Sequence, residues 1–268
     1  MDWALFDEEG AMRQRYADID DRTEAVKDAI RRNGWSWEDF QEMYDISWIY
    51  HENGLEGVVL TYPEIKSAVD NKIISDVSLM PRYRDIKNQK YCIDLMREKA
   101  SNRRFNLSIN FLKEMHGTLV GDPELAGVYR KDIPIHRTYF HEIAHPQKIH
   151  DDLAEVLDEL KSKEARSLHP IELAAVVHHR FMRVFPFSQY SGMIGRLITN
   201  FVLARHEYLP AVIHATDRQR YYEALRSGER NFRSFLVETM ENSLDNALRF
   251  FGAPGNQAQP RGGRRAQA

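Results

Sequence analysis

The sequence has one cysteine, Cys92, and so no internal disulfide; nowhere does it contain a secretory apolar core or an unbroken apolar run of about 18 residues. Those absences exclude a disulfide-stapled scaffold and a helix that crosses a membrane, and a reducing cytoplasm is the expected setting. An excess of positive charge is missing too. Lys and Arg number 37 against 40 Asp and Glu, which argues against a nucleic-acid-binding stripe or a membrane-binding face. Glycine and proline are sparse until the C-terminus, where residues 253–268 are rich in Gly, Gln, Pro and Arg and offer little to bury. This stretch is expected to be a disordered tail, its Arg261, Arg264 and Arg265 solvated. Period-two strand patterns are nearly absent, and no internal repeat occurs.

What is present is helical periodicity. The first 34 residues are charged, with a short helix expected between Thr23 and Ile30 and ended by Asn33-Gly34. Ser36, with Asp39 three residues on, reads as the N-cap of a helix carrying Phe40, Met43, Tyr44 and Trp48, which runs into Glu52-Asn53-Gly54-Leu55-Glu56-Gly57. Further helices are expected from Tyr62-Pro63-Glu64, from about Asp85 to Lys99 with Ile86, Tyr91, Leu95 and Met96 inward, and from Ser108 to Leu119. His169-Pro170 opens a strong helix that Phe185-Pro186-Phe187 interrupts, because proline disfavours helix in the residue before it. An apolar helix follows from Gly192 to His206; Thr216 with Gln219 reads as the cap of the next, and Phe232 to Phe250 is the last. Between Gly127 and Phe140 the pattern of Val128, Ile133, Ile135 and Tyr139 among charges suits a short extended hairpin.

A proline-marked loop ending at Gly192, just before a helix N-terminus, is suited to holding an anion, since free backbone N–H groups and the helix dipole both point there. Every helix has an N-terminus, so this alone says little. The surrounding string says more. The run from His178 to Pro210, HHRFMRVFPFSQYSGMIGRLITNFVLARHEYLP, resembles the signature region of the Fic (Fido) family, where His-Pro-Phe-x-Asp/Glu-Gly-Asn-Gly-Arg-x-x-Arg joins two helices. The Leu112 and His116 helix, Gly127-Val-Tyr-Arg130 and Tyr221-Tyr-Glu-Ala-Leu225 also stand where the family places similar strings, so the resemblance covers about residues 36–250. It implies an all-α, mostly helical Fido fold with a short β-hairpin flap at about 127–140. The expected organisation is an N-terminal helical extension at 1–35, a Fido domain at 36–252 with an inhibitory-type helix at about 36–57, and the tail.

In such enzymes the motif histidine takes a proton from a target hydroxyl, the acidic residue holds the magnesium bridging the nucleotide phosphates, and the Gly-Asn-Gly turn with its arginines forms the anion hole. Here the histidine position is Phe185 and the acidic position Gln189, neither of which can do that chemistry. Ser191 stands for the asparagine and Met193 for the first arginine, while Gly192 and Arg196 remain as a residual anion site. The resemblance therefore implies a degenerate site: a catalytically inactive regulator or interaction module that meets a protein target at the flap. No confident catalytic residue, metal or cofactor follows. The alternative is a transferase that takes a nucleotide or sugar nucleotide without the usual magnesium ligand and uses a base outside the motif.

Many family members also carry an inhibitory Ser/Thr-x-x-x-Glu-Gly/Asn, which Glu56-Gly57 matches, although Glu52 replaces the hydroxyl residue. Glu56 is expected to pair with Arg196, so that removing it would leave a buried guanidinium alone at a cost of about 3 kcal/mol. Three other features are weighed against this site. His141-Glu142-Ile143-Ala144-His145 matches the zinc pattern HExxH, but Pro146 biases His145 away from helix, so the two imidazoles are not expected on one face. His178 and His179 are read as core histidines rather than substitute bases, and Cys92 as a buried inert thiol. Trp35, Trp37, Trp48, Phe185 and Phe187 are expected in the core, with Phe185 and Met193 giving the old site an apolar lining.

Overall fold

The computed structural model describes residues 3–71, 76–134 and 142–252. Helix α1 (Trp3–Arg32) is one continuous rod, far longer than the segment expected from Thr23, and its last carbonyls are met where Gly34 turns at φ 75°. The reason lies in its partner. Tyr16, Ile19, Val26 and Ile30 are buried, and Arg15 and Arg22 reach Glu241 and Asp245 of the last helix, so tertiary packing supports a stretch whose local apolar signal is weak. Helix α2 (Trp37–Leu55) starts where the Ser36 hydroxyl accepts from the Asp39 N–H at 3.0 Å. Thr61 and Glu64 form a reciprocal capping box on α3 (Tyr62–Val69).

Helix α4 (Met80–Ser101) begins earlier than its apolar pattern indicates, since Pro81 stands in its first turn. Its Ile86, Leu95 and Met96 are buried as expected, but Tyr91 is exposed: the inward face is set by Ile86, Gln89, Cys92, Ile93 and Met96, and Tyr91 lies off it. Helix α5 (Ile109–Val120) is capped by Ser108 and stopped by Gly121 in the left-handed region. Two helices with no counterpart in the sequence reading follow, α6 (Ile149–Glu159) and the short α7 (Lys163–Ser167).

The centre is the pair α8 (Pro170–Val184) and α9 (Ser191–Arg205). Every residue from Ser191 to Leu203 is buried, so α9 is the axis round which α4, α5 and α8 pack. The His169 ring accepts from the Ile171 N–H and Pro170 occupies the first helical position, which fixes where α8 begins. Helix α10 (Arg218–Arg226) enters from a 3-10 turn at Ala215–Asp217. Thr216 lies within that turn and does not cap it, because the chain is already coiled one residue too early for a cap. Helix α11 (Glu229–Gly252) then runs back along α1 and α8.

There is no strand among the described residues. The first part of the expected hairpin, 127–134, runs as turn and irregular chain: the Gly127 N–H donates to the His116 ring, the Val128 N–H to the Leu125 carbonyl and the Arg130 N–H to the Pro186 carbonyl, none of them in a strand ladder, and 135–140 lie outside the described residues. The tail from 253 lies outside them as well, and no described helix is long and apolar enough to cross a membrane.

Helix α2 is pressed hard against the α10 entry turn: a Cβ placed on Gly54 would stand 2.5 Å from Ala215 Cβ. Gly54→Ala gains about 1 kcal/mol of helix propensity. The overlap still wins, since two carbons that close must separate by more than 1 Å, and overpacking costs about 1–3 kcal/mol. Urea denaturation is expected to find the variant less stable than wild type.

Candidate functional site

Helix α8 ends because Pro186 follows, and Phe185 takes up the left-handed conformation, φ 45°, at its C-cap. A bulky residue in that region is strained, so the neighbourhood must hold it. Arg130 does so. Its side chain is buried, with Nε donating to the Phe185 carbonyl at 2.7 Å and Nη2 donating to the Val184 carbonyl at 3.1 Å and to that of Ala144. Its own backbone N–H donates to the Pro186 carbonyl at 3.0 Å. One guanidinium thus satisfies the orphan carbonyls at the end of α8.

Beyond Pro186 the loop is tied to the start of α9. The Ser191 hydroxyl accepts from the Phe187 N–H and donates to the Phe187 carbonyl, both at 2.8 Å. Phe187 is fully buried and stacks on His116 with ring centroids 4.0 Å apart, while His116 Nδ1 accepts from the Gly127 N–H at 3.0 Å. Tyr190 is the second strained residue, at φ 59°. Phe185 and Met193 are buried, whereas the Gln189 side chain is exposed.

Arg196, one turn into α9, is buried among acids. Its Nε donates to Glu52 Oε1 at 2.7 Å, its Nη2 contacts the same oxygen, and Nη2 also donates to Glu56 Oε1 at 2.7 Å. Glu52 is buried and further hydrogen-bonded by Trp48, while Glu56 keeps about a quarter of its side chain in solvent. Gly192 is what lets the acids approach: a Cβ there would stand 3.1 Å from Arg196 Nη1 and 3.2 Å from Glu56 Oε1. Burial pushes the Glu52 carboxyl upward against the pull of Arg196, and the guanidinium is held firmly protonated. With both acids ionised, one cation faces two anions.

The network continues in a definable direction. Arg196 Nη1 donates to the Tyr221 hydroxyl at 3.4 Å, and that hydroxyl lies 2.9 Å from His178 Nε2. On the other side Thr199 spends its proton on the Gly195 carbonyl, so His178 Nδ1, at 2.7 Å from the Thr199 oxygen, must be the donor there. His178 Nε2 then accepts from Tyr221, and its lone pair is engaged. His179 is likewise committed, with Nε2 at 3.2 Å from the Leu225 carbonyl, and burial lowers its pKa.

Helix α2 is fixed from behind by a reciprocal amide pair. Asn53 Nδ2 donates to Gln89 Oε1 at 2.7 Å and Gln89 Nε2 to Asn53 Oδ1 at 3.1 Å. Arg218 Nε donates to the Leu55 carbonyl at 2.8 Å. Between this helix, α4 and the loop lies a cleft of about 300 Å³, lined by Glu56, Asp85, Gln89, Phe185, Gln189 and Met193 among others. Phe185, Gln189, Ser191, Gly192 and Met193 therefore do share one cleft, with Arg196 behind Gly192. Glu52, Arg130, Asn53 and Gln89 were missed as functional residues. The only written signal was Arg130 standing inside a family-like string, and Glu52 had been read as a missing hydroxyl.

The HExxH stretch does not form a helix where it is described. Residues 142–145 are irregular, His145 sits in extended backbone with its ring accepting from the Gln147 N–H, and His141 lies outside the described residues. Cys92 is buried, its thiol pushed up to about 12 by burial.

The molecule is thus an all-α domain whose two central helices are joined by a tightly clamped loop, with a buried arginine of the second helix held by two acids from the end of an earlier one. Comparison narrows this: residues 106–203 match the pattern of the Fic/DOC family. The protein adenylyltransferase Fic of Aedes aegypti is 24% identical over 242 residues, 87% of this chain and 47% of that protein. The enzyme of the same name from Nematostella vectensis is 26% identical over 203 residues, 74% of this chain and 47% of that protein. The chain thus spans about half the length of these curated relatives. Among solved structures, a Fic-domain-containing signaling protein from Bacteroides thetaiotaomicron superposes with a TM-score of 0.74 at 22% identity, covering 89% of this chain and 98% of the other. Fic-1 from C. elegans gives 0.76 at 20% identity over 91% and 74%. At these identities the likeness is one of fold.

The double pairing corrects the expected effect of removing Glu56. Without it Arg196 still holds Glu52, so Glu56→Gln should cost only about 1 kcal/mol, as for a partly exposed pair. Glu52→Gln removes the buried partner and should cost about 3 kcal/mol. Chemical denaturation of both variants and their double mutant checks the order and the coupling.

His116 supplies a pH test. Burial lowers its pKa to about 4, below the ordinary value of 6.5. Between these values the unfolded chain binds the proton and the folded one does not, so the folded state loses stability as pH falls from 6.5 to 4. His116→Gln should show a smaller drop in melting temperature between pH 7 and pH 4.5 than wild type.

Proposed function

We propose that this Fic domain does not transfer AMP through its motif and acts as a regulator or interaction module, docking a protein segment along the stretch 127–140. The observation that carries this reading is the composition of the site. The position from which a base would act holds buried Phe185, and the two histidines nearest in sequence are occupied by Tyr221, Thr199 and the Leu225 carbonyl.

A magnesium–nucleotide pair does not fit these residues. Gln189 offers an amide where a divalent ion needs a carboxylate, and the one motif arginine left is already paired with two glutamates, so its charge is met from within the domain. The loop itself is nevertheless held in shape by Arg130 and Ser191, which supports a fold kept for recognition. Backbone along 127–134 without strand partners, at an exposed Val128 and Ile133, is suited to pairing with an extended segment.

One observation favours a second reading, in which a nucleotide or sugar nucleotide is bound and a base outside the motif is used. Asp85 lines the cleft, and burial raises its pKa. The relatives named protein adenylyltransferase make AMP transfer the reaction to test.

The two readings separate in a titration of wild type, Glu56→Gly and Glu52→Ser/Glu56→Gly with ATP and sugar nucleotides, with and without magnesium, followed by heats of binding and by labelling with radioactive ATP. We expect no saturable binding and no label with any of the three. Saturable binding by the double variant alone would show the acids, not the eroded cradle, to be the block. Label that disappears on Asp85→Asn would replace the first reading with the second.

A further inference from the structure

Helix α9 begins at the motif loop and ends, about 20 Å away at 1.5 Å per residue, beside a second cavity that belongs to none of the chemistry above. This cavity holds about 500 Å³, within the range of small-molecule sites. Its floor is apolar: Leu107, Leu157, Ala165, Phe201 and Val202 are all buried. Its rim is Arg103, Lys161, Arg166, Arg205 and His206, and neither aspartate nor glutamate lines it. In a chain with more acids than bases, five basic side chains round one cavity without an acid is a marked segregation.

The two outer arginines of the rim are not neutralised. Lys161 is held by Asp158 at 2.7 Å, but among the described residues no carboxylate stands within ion-pair distance of Arg103 or Arg166. Arg205 donates through Nη2 to the carbonyls of Phe105 and Asn102, while its Nε is buried and meets no acceptor among the described residues. A donor buried without a partner is destabilising, and an acceptor that reached it would relieve this. The His206 pKa is lowered by burial and then by Arg103, Arg205 and His169. Each cation lies at or just beyond the C-terminal turn of α4, α6, α7 or α9, where the helix dipole favours it. The dipole does not require them to converge round an apolar hollow.

We propose that this cavity binds a small amphipathic anion, an unbranched acyl chain lying on the apolar floor with its carboxylate or phosphate head among Arg103, Arg166 and Arg205. Charge excludes the chain's own tail as occupant, since 253–268 carry Arg261, Arg264 and Arg265 and no acid.

The test is calorimetric titration below the micelle concentration with decanoate, decyl phosphate, decanol and inorganic sulfate, against wild type, Arg103→Gln/Arg166→Gln and Ala165→Met. The first variant changes exposed side chains and the second fills the floor while keeping the charge; melting temperatures check that both fold. Expected is one saturable site for decanoate or decyl phosphate, at least tenfold tighter than decanol, with sulfate alone not saturating. Each variant should weaken it at least tenfold, and the Arg205 Nε–H resonance should shift on binding. Preference for one head group identifies the anion within the proposal. Decanol binding as tightly as both anions, affinity unchanged in both variants, or no saturable binding of either anion would overturn it.

Discussion

A guanidinium inside a protein has to be surrounded by acceptors, and the interior of this domain is arranged round the one on Arg196. Stripping water from such a group is costly unless charge and hydrogen bonds replace it. Glu52 and Glu56 supply the charge from the last turn and C-cap of α2, 144 and 140 residues earlier in the chain, and Tyr221 supplies a further acceptor from α10. The same tyrosine passes the order on to His178 and Thr199, so four helices are placed relative to one another by a single buried cation. The Asn53–Gln89 amide pair then keeps α2 from turning its acids away.

The loop beside it separates shape from chemistry. Arg130 and Ser191 hold the loop backbone through main-chain partners, Arg130 at the Val184 and Phe185 carbonyls and Ser191 at both polar groups of Phe187. The side chains that would act on a substrate stand on that frame independently and are replaced without disturbing it. Phe185 even occupies a strained left-handed position, which the Arg130 contacts to its carbonyl hold in place. The shape of the loop is therefore independent of the apolar ring, the amide and the thioether at positions 185, 189 and 193.

How much could be read beforehand follows the same division between local and distant causes. Caps are written within three residues, so Ser36, Ser108 and His169-Pro170 mark true helix starts. The breaker Phe185-Pro186 marks a true end. The paired glutamates were only half legible: Glu56 was found because it falls in a recognisable string, whereas Glu52 looked like the loss of a hydroxyl, since nothing nearby shows that a second carboxylate can reach Arg196. Gln89 and Arg130 act through partners 36 and 55 residues away, a distance at which spacing carries no information. Tyr91 was assigned inward by counting apolar residues, when the buried face of α4 includes the polar Gln89 in its place. Helix α1 was underestimated for the converse reason: its stability comes from α11.

That last pairing sets the order in which the molecule can assemble. Arg15 and Glu241 are 226 residues apart, so the face that α1 shows to α11 stays wet until nearly the whole domain is in place. Closing so long a loop is slow, and contacts of such separation come late in folding. Helix α1 is then a closing strap and no part of a nucleus. Mutations along it should hasten unfolding while leaving the folding rate almost untouched.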